Sequence, residues 1–369
     1  MKKNKWIRQV AMCIIATVLV TSCIAPQEEL YEVSQEEIDI RENIFILDNP
    51  YLEARPIPAF QPEPNDVMIE MGMGFFGFGV DLRGIIHPPG SNIYGRIRMN
   101  DTNDYLQATV EYMGLTDTYF MLKMFIDYEE VPFQVLGEEN YVTEFVFPMP
   151  PSYVLEIPFS LDMDFADVNQ THRLTAAIFV DPYLQLIDIN SELFEAWSNG
   201  MSLNFDLIFG SGSDICLTTV PVFPTISRKE NRYFPVFTVN QNLEGFEREG
   251  WHMDRPYIIQ IDRGEEIHLA FHASLQGAID YVLRDYLIIF MLDWEQISVN
   301  GQPYLHVEID NYFEFGNIAE HGIVTLDAID EPGSYLLTAI MIRHPTYPIS
   351  LENSFPHEIS NRILIEVLE

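Results

Sequence analysis

Three carboxylates at close spacing raise the first question of chemistry. Leu161–Asn169 reads LDMDFADVN, which sets Asp162, Asp164 and Asp167 beside Asn169. Hard oxygen ligands in that number suit calcium, which takes six to eight oxygens. The spacing departs from an EF-hand loop, because no glycine follows and no closing glutamate comes at the right distance. The stretch is therefore expected to be a solvated turn before a strand, with a structural calcium as the alternative; no other cofactor is expected. A second candidate is EEIHLAFH (Glu265–His272), with His268 and His272 four apart. On a helix they could share a metal. Here Ile267, Leu269 and Phe271 alternate with polar or small residues, which predicts a strand and puts the two rings about 13 Å apart, too far for one zinc with bonds of roughly 2 Å. FGSGSD (Phe209–Asp214) has no glycine two residues after a serine and no helix after it, so it predicts a hairpin turn rather than a nucleophile elbow. The glycine-rich MGMGFFGFG (Met71–Gly79) lacks the lysine and following helix of a phosphate cradle and reads as strand.

One segment could bind without reacting. EREGWHMDRP (Glu247–Pro256) puts Trp251 in polar surroundings with His252 and Arg255. An exposed indole edged by donors can stack on a sugar ring or on a partner's side chain, and these three are the candidate ligand-binding residues. Packing between domains is the competing reading. No nucleophile, base and orienting group stand together in the sequence, so binding is favoured over catalysis. The alternative function is an envelope glycan hydrolase or a carbohydrate-binding accessory protein, but the 56 acidic residues offer no carboxylate pair to choose. The net charge of −36 excludes nucleic acid as a partner, since phosphate would be repelled.

The elements that would position such groups read as strands. From Val67 onward, short runs rich in Val, Ile, Phe and Tyr alternate with turn residues, as in NIYGRIRMN, YLQATVEYM and YLHVEID. Others, such as YFMLKMFIDY and YLIIFMLDW, are apolar throughout, as strands buried on both faces would be. Regular spacing without intervening helices predicts an all-β fold of two sandwiches. One short helix is predicted at 191–199 (SELFEAWSN), with a serine cap and Gly200 as its stop. YFMLKMFIDYEE (Tyr119–Glu130) parallels DYLIIFMLDWEQ (Asp285–Gln296), and Leu174-Thr175-Ala176 parallels Leu337-Thr338-Ala339. Two copies of one domain are expected, over 67–228 and 229–369, with the boundary in the charged SRKENR. Residues 23–66 read as an acidic tether, because the prolines of RPIPAFQPEP suit neither a helix interior nor a central strand. Such a tether of about 40 residues would span about 35 Å as a coil and up to about 130 Å extended. Within it, residues 36–52 are apolar enough to dock on the first domain.

The start of the chain carries Lys2, Lys3, Lys5 and Arg8, then the uncharged run Val10–Val20, too short to span a bilayer, then Val20-Thr21-Ser22-Cys23. This order resembles the signal peptide and lipobox of bacterial lipoproteins. The resemblance implies cleavage of residues 1–22, a diacylglyceryl group on Cys23, and residence in the cell envelope on the extracytoplasmic side of a bacterial membrane. Two acyl chains suffice for stable anchoring. The expected partners are accordingly the membrane through that lipid, and a glycan or an envelope protein. Of the three cysteines, Cys13 would leave with the signal and Cys23 would carry lipid, so Cys216 would remain without a disulfide partner. The second copy resembles an immunoglobulin-like domain. EPGSYLLTA fits the turn into strand F, with Tyr335 as the corner tyrosine and Leu337 in place of the second disulfide cysteine. By that resemblance Trp294 would be the core tryptophan of strand C; in the first copy His172 stands where the tyrosine would be.

Overall fold

The computed structural model describes residues 49–56, 75–83, 95–99, 104–113, 118–150, 153–163, 170–182, 200–209, 221–230, 237–240, 258–275, 285–308, 317–343, 345, 358–360 and 362–369. All regular structure among them is β-strand, numbered here in chain order. The first sandwich pairs two sheets. A five-stranded sheet runs β1 (Glu53–Pro56), β9 (Tyr153–Leu161), β4 (Leu106–Met113), β2 (Phe75–Leu82), with β7 (Phe133–Val135) also on β9. A six-stranded sheet runs β3 (Arg96–Met99), β11 (Gly200–Phe209), β10 (Thr171–Val180), β5 (Thr118–Ile126), β6 (Glu129–Glu130), with β8 (Glu144–Met149) also on β5.

Among the described residues the second sandwich repeats this plan, except that it has no strand in the place of β7 and gains one strand in its larger sheet. Its four-stranded sheet runs β12 (Ile226–Glu230), β19 (Asn317–Leu326), β15 (Ile267–Leu275), β13 (Phe237–Asn240). Its seven-stranded sheet runs β14 (Ile258–Asp262), β22 (Ile363–Leu368), β20 (Gly333–Arg343), β16 (Asp285–Leu292), β17 (Glu295–Ile297), with β18 (Leu305–Glu308) on β16 and β21 (Glu358–Ile359) on β20. The repeat is visible in its parallel pairs: β3 lies parallel to β11, and β14 parallel to β22, while the other strand pairs of these sheets are antiparallel. The chain thus folds as two tandem immunoglobulin-like sandwiches, as the strand spacing and the repeat predict.

Alternation builds each core. In β4, Leu106, Ala108 and Val110 point inward and are fully buried, against Ile157 and Phe159 of β9 and Leu174, Ala176 and Ile178 of β10. In the second sandwich Ile267, Leu269 and Phe271 of β15 meet Tyr286, Ile288 and Phe290 of β16. Two packing features expected at β20 are present. Leu337 is buried in this core, and the Tyr335 hydroxyl donates to Glu331 O at 2.9 Å, bracing the turn.

Several boundaries differ from expectation. Glu53–Pro56 lies within the stretch read as tether, yet it pairs with β9 as an edge strand. An edge tolerates Pro56 because one flank of the strand needs no ladder donors. Just before it, the Asn49 side chain accepts from Tyr51 N at 2.9 Å and donates to Leu136 O at 2.8 Å, clipping residues 49–52 onto the first sandwich. The charged SRKENR does not separate the modules either: Ile226–Glu230 is β12, paired with β19 of the second sandwich. Charge there suits an edge strand, where it discourages pairing with other chains. The helix predicted at 191–199 lies outside the described residues.

Candidate functional site

The two sandwiches meet face to face through the sheets that carry β10 and β20. Residues on the outward side of those sheets would normally be wet. Here Met121, Phe125, Ala177 and Phe179 of the first, and Ile289, Met291, Ile340 and Ile342 of the second, are all at 0% exposure. This is why the β5, β10, β16 and β20 sequences lack polar alternation: both faces of these strands are buried.

The junction has an approximate two-fold arrangement in which equivalent residues of the repeat meet each other. After β5, Asp127 and Tyr128 take positive φ (51° and 72°); after β16, Asp293 and Trp294 do the same (47° and 69°). In both copies the aspartate fixes the turn to the F strand. Asp127 Oδ1 accepts from Arg173 N at 2.8 Å, and Asp293 Oδ1 accepts from Leu336 N at 2.6 Å. Each turn then aims its aromatic residue at the other sandwich. The Tyr128 hydroxyl donates to Pro345 O at 2.9 Å, and its ring meets Tyr304 edge to face at 5.7 Å. Trp294 packs on Phe179 at 4.8 Å. Beside them Glu130 N donates to Gln296 Oε1 at 2.7 Å and Gln296 N donates to Glu130 Oε2 at 3.3 Å, a reciprocal pair separated by 166 residues.

Trp294 is therefore not the core tryptophan of strand C. The left-handed turn carries its ring out of the second sandwich and onto the first, while Tyr286, Ile288 and Phe290 fill the core beneath strand C.

Three buried cations stiffen the junction. Arg173 Nε donates to Asp206 Oδ1 at 2.9 Å, with both side chains at 1% exposure or less. Its Nη1 also donates to the Tyr128 hydroxyl at 3.3 Å. Burial pushes that phenol well above its ordinary range, with Arg173 pulling in the opposite direction. Arg362, from the second sandwich, donates through Nη1 to Asp181 O at 2.5 Å and through Nη2 to Val180 O, and its guanidinium lies 5.2 Å from the Trp294 ring centre. Burial brings its pKa down to about 10, with Asp181 opposing, so it stays charged at neutral pH. Lys123, fully buried on β5, pairs with Glu130.

Glu144 stands opposite Lys123 in the β5–β8 ladder. Burial raises its carboxyl above the ordinary value of 4.5; Lys123 lowers it, and Glu130 and Glu295 raise it further. An acid whose folded pKa is raised contributes most when protonated, and that stability is lost as pH rises through the folded pKa. Glu144→Gln is accordingly expected to melt at a higher temperature than wild type at pH 7 and at the same temperature at pH 4. Thermal melts at the two pH values check this, and a gap that persists at pH 4 would contradict it.

The residues singled out in the sequence fall unevenly. Cys23, Trp251, His252, Arg255, Asp164, Asp167 and Cys216 lie outside the described residues. Asp162 is half-buried just after β9, and its N donates to Pro132 O at 3.0 Å. Among the described residues no group of three or more His, Cys, Asp or Glu side chains could hold a metal ion. His268 and His272 lie on β15, as alternation predicts; His268 is exposed, whereas His272 is buried edge to face against His321, 4.6 Å between ring centres. Sequence reasoning passed over Lys123, Arg173 and Arg362, although a lone cation in an apolar run such as FMLKMFI signals a buried partner.

No family model matches the chain, and no curated protein matches it. Among solved structures it is similar to a CARDB domain from Pyrococcus furiosus, with 12% identity over 41% of this chain and 95% of that one and a TM-score of 0.22. It is also similar to the C-terminal domain of the AgI/II polypeptide BspA of Streptococcus agalactiae, at 9% identity over 79% of this chain and 100% of that one, TM-score 0.25. The C-terminal domain of AspA, an antigen I/II-family protein of Streptococcus pyogenes, gives 10% identity, 79% and 99% coverage and a TM-score of 0.24. Likenesses this distant assign neither ancestry nor role.

Proposed function

We propose that the protein is a lipid-anchored surface protein of a bacterial envelope that acts by binding, its two sandwiches presented as one stiff body on the extracytoplasmic side. The observation that carries this reading is the junction. It consumes one sheet face of each sandwich and locks their relative orientation, leaving the opposite sheet face of each on the side away from it. A fixed presentation of that kind suits recognition, where groups held in place before contact lose less entropy on binding. The sequence around Val20-Thr21-Ser22-Cys23 supports the anchor, and the acidic, proline-bearing stretch after it supplies the spacing. Self-repulsion at −36 suits a soluble body held close to an anionic cell surface.

The anchor is tested by expressing the whole chain in a bacterial host and separating membranes from soluble protein. Wild type is expected in the membrane fraction, labelled by radioactive palmitate; Cys23→Ala is expected to be unlabelled and released. Retention of the unlabelled variant in the membrane would overturn the lipid assignment.

A further inference from the structure

We infer that the outward face of the first sandwich's five-stranded sheet is a platform for a neutral or amine-bearing glycan. This deepens the binding reading above and rests on it. The face lies on the side of the sandwich away from the junction. Register places its residues in rows across the strands. One row starts at Tyr105, whose carbonyl accepts from Arg83 N and which immediately precedes the Leu106–Phe159 pair. It continues through Ser160 and Gln134, which are partners in the β7–β9 ladder. It ends at Tyr141, next to Val142, which bridges Phe133.

All four residues point away from the core, because Leu106, Phe159, Phe133 and Leu161 beside them point in. Tyr105 is 38% exposed and Tyr141 48% exposed, so aromatic surface is presented at both ends of the row. They are separated by three strand spacings, about 14 Å, which a short linear oligosaccharide bridges. Between them the floor offers hydroxyl and amide. Ser160 is buried at 8% exposure, and Gln134 donates through Nε2 to Glu138 O at 2.9 Å, leaving its carbonyl oxygen as an acceptor. Tyr51, 45% exposed, stands against Gly137 on the same flank.

The chemistry of this row selects the class of ligand. Aromatic faces stack on the apolar C–H faces of sugar rings, while flanking hydroxyl and amide groups take the ring hydroxyls. Two rows along, the charged groups satisfy one another: Arg55 donates to Glu156 Oε1 at 2.9 Å and Gln107 donates to Glu156 Oε2 at 2.9 Å. Charges border the row at both ends, with exposed Arg83 opposite Tyr105 and exposed Glu138 and Glu139 beside Tyr141, on a chain whose net charge is −36. Polyanionic glycans would be repelled, and neutral or amine-bearing ones would not.

Affinity electrophoresis of the whole chain without its signal segment tests the assignment. The probes are gels containing hydroxyethyl cellulose (neutral), glycol chitosan (amine-bearing) or polygalacturonate (anionic). Retardation is expected in at least one of the first two and not in the third. Tyr105→Ala and Tyr141→Ala are each expected to weaken it by about five-fold or more, the scale of one lost aromatic stack. Tyr141→Phe, which keeps the ring, and Ile323→Ala, at an exposed site on the second sandwich, are expected to leave it unchanged. These sites are exposed, and unchanged circular dichroism of each variant confirms that folding is not what was lost. The proposal is overturned by no retardation in either of the first two gels, by preference for the polyanion, or by equal binding of the tyrosine-to-alanine variants. The last result would leave a glycan binder with a different face. Failure in all gels with Cys23-dependent anchoring intact would remove the glycan and leave the anchored surface protein.

Discussion

Asp206→Leu alone is expected to destabilise the chain by about 3–5 kcal/mol, whereas Arg173→Leu combined with Asp206→Leu is expected to stay within about 1.5 kcal/mol of wild type. The argument comes from the repeat itself. Arg173 and Asp206 are cross-strand partners in the β10–β11 ladder, and the equivalent partners in the β20–β22 ladder are Leu336 and Leu364. The same position in the same fold is thus occupied once by an ion pair and once by two leucines. Removing only the carboxylate takes the opposing charge from a guanidinium at 1% side-chain exposure, and the neutral Tyr128 hydroxyl at 3.3 Å does not replace it. Removing both charges also removes the desolvation they require. Arg96, half-exposed at 3.7 Å from Asp206, loses a distant partner in either case and can turn to water. Urea unfolding of the three proteins checks this. A double variant as unstable as the single one would mean that the pair is essential to packing at this position.

Arg362→Ala is expected to cost about 2–4 kcal/mol, and Arg362→Lys to recover little of it. The guanidinium reaches from the second sandwich to the end of β10 in the first, where it donates to the carbonyls of Val180 and Asp181 while lying over Trp294. Hydrogen bonds to a charged donor contribute more than neutral ones, and stacking on an indole adds to them. A lysine supplies one compact ammonium in place of a planar fork, so it can neither span both carbonyls nor lie flat on the ring. The Asp181 side chain accepts from the Thr118 hydroxyl at 2.6 Å and from Tyr119 N at 3.2 Å, and as an acceptor it has no proton to offer the carbonyls that Arg362 leaves. Thermal melts of both variants measure the effect. A lysine variant as stable as wild type would show that charge alone, without the fork, holds the corner.

The strands were legible because their periodicity is a direct imprint of burial. Runs such as YLQATVEYM alternate because one face meets the core, and YLIIFMLDW does not alternate because both faces of β16 are buried. The repeat was legible for the same reason, and the match of Asp127-Tyr128 to Asp293-Trp294 extends to their backbone angles. What could not be read was direction. A tryptophan at the end of a strand looks alike whether its ring goes into its own core or across to a neighbour; the left-handed turn decides, and no glycine marks it. The edges were obscured by local chemistry. Prolines hid β1, and charges hid β12, because edge strands carry those residues without penalty. The sites singled out by residue type lie almost wholly outside the described residues, whereas the tyrosine row of the first sandwich depends on register between distant strands. Tyr105 and Tyr141 belong to different runs, and only the β4–β9–β7 ladders bring them onto one face.

The proposed presentation of the two sandwiches as one stiff body requires them to unfold as one. Scanning calorimetry of the intact chain addresses this most directly, because the calorimetric enthalpy counts all the heat of unfolding while the van't Hoff enthalpy counts only the cooperative unit. A single transition with the two enthalpies equal is the predicted result. Two resolved transitions, or a calorimetric enthalpy about twice the van't Hoff value, would mean that the modules unfold separately and that the junction does not join them.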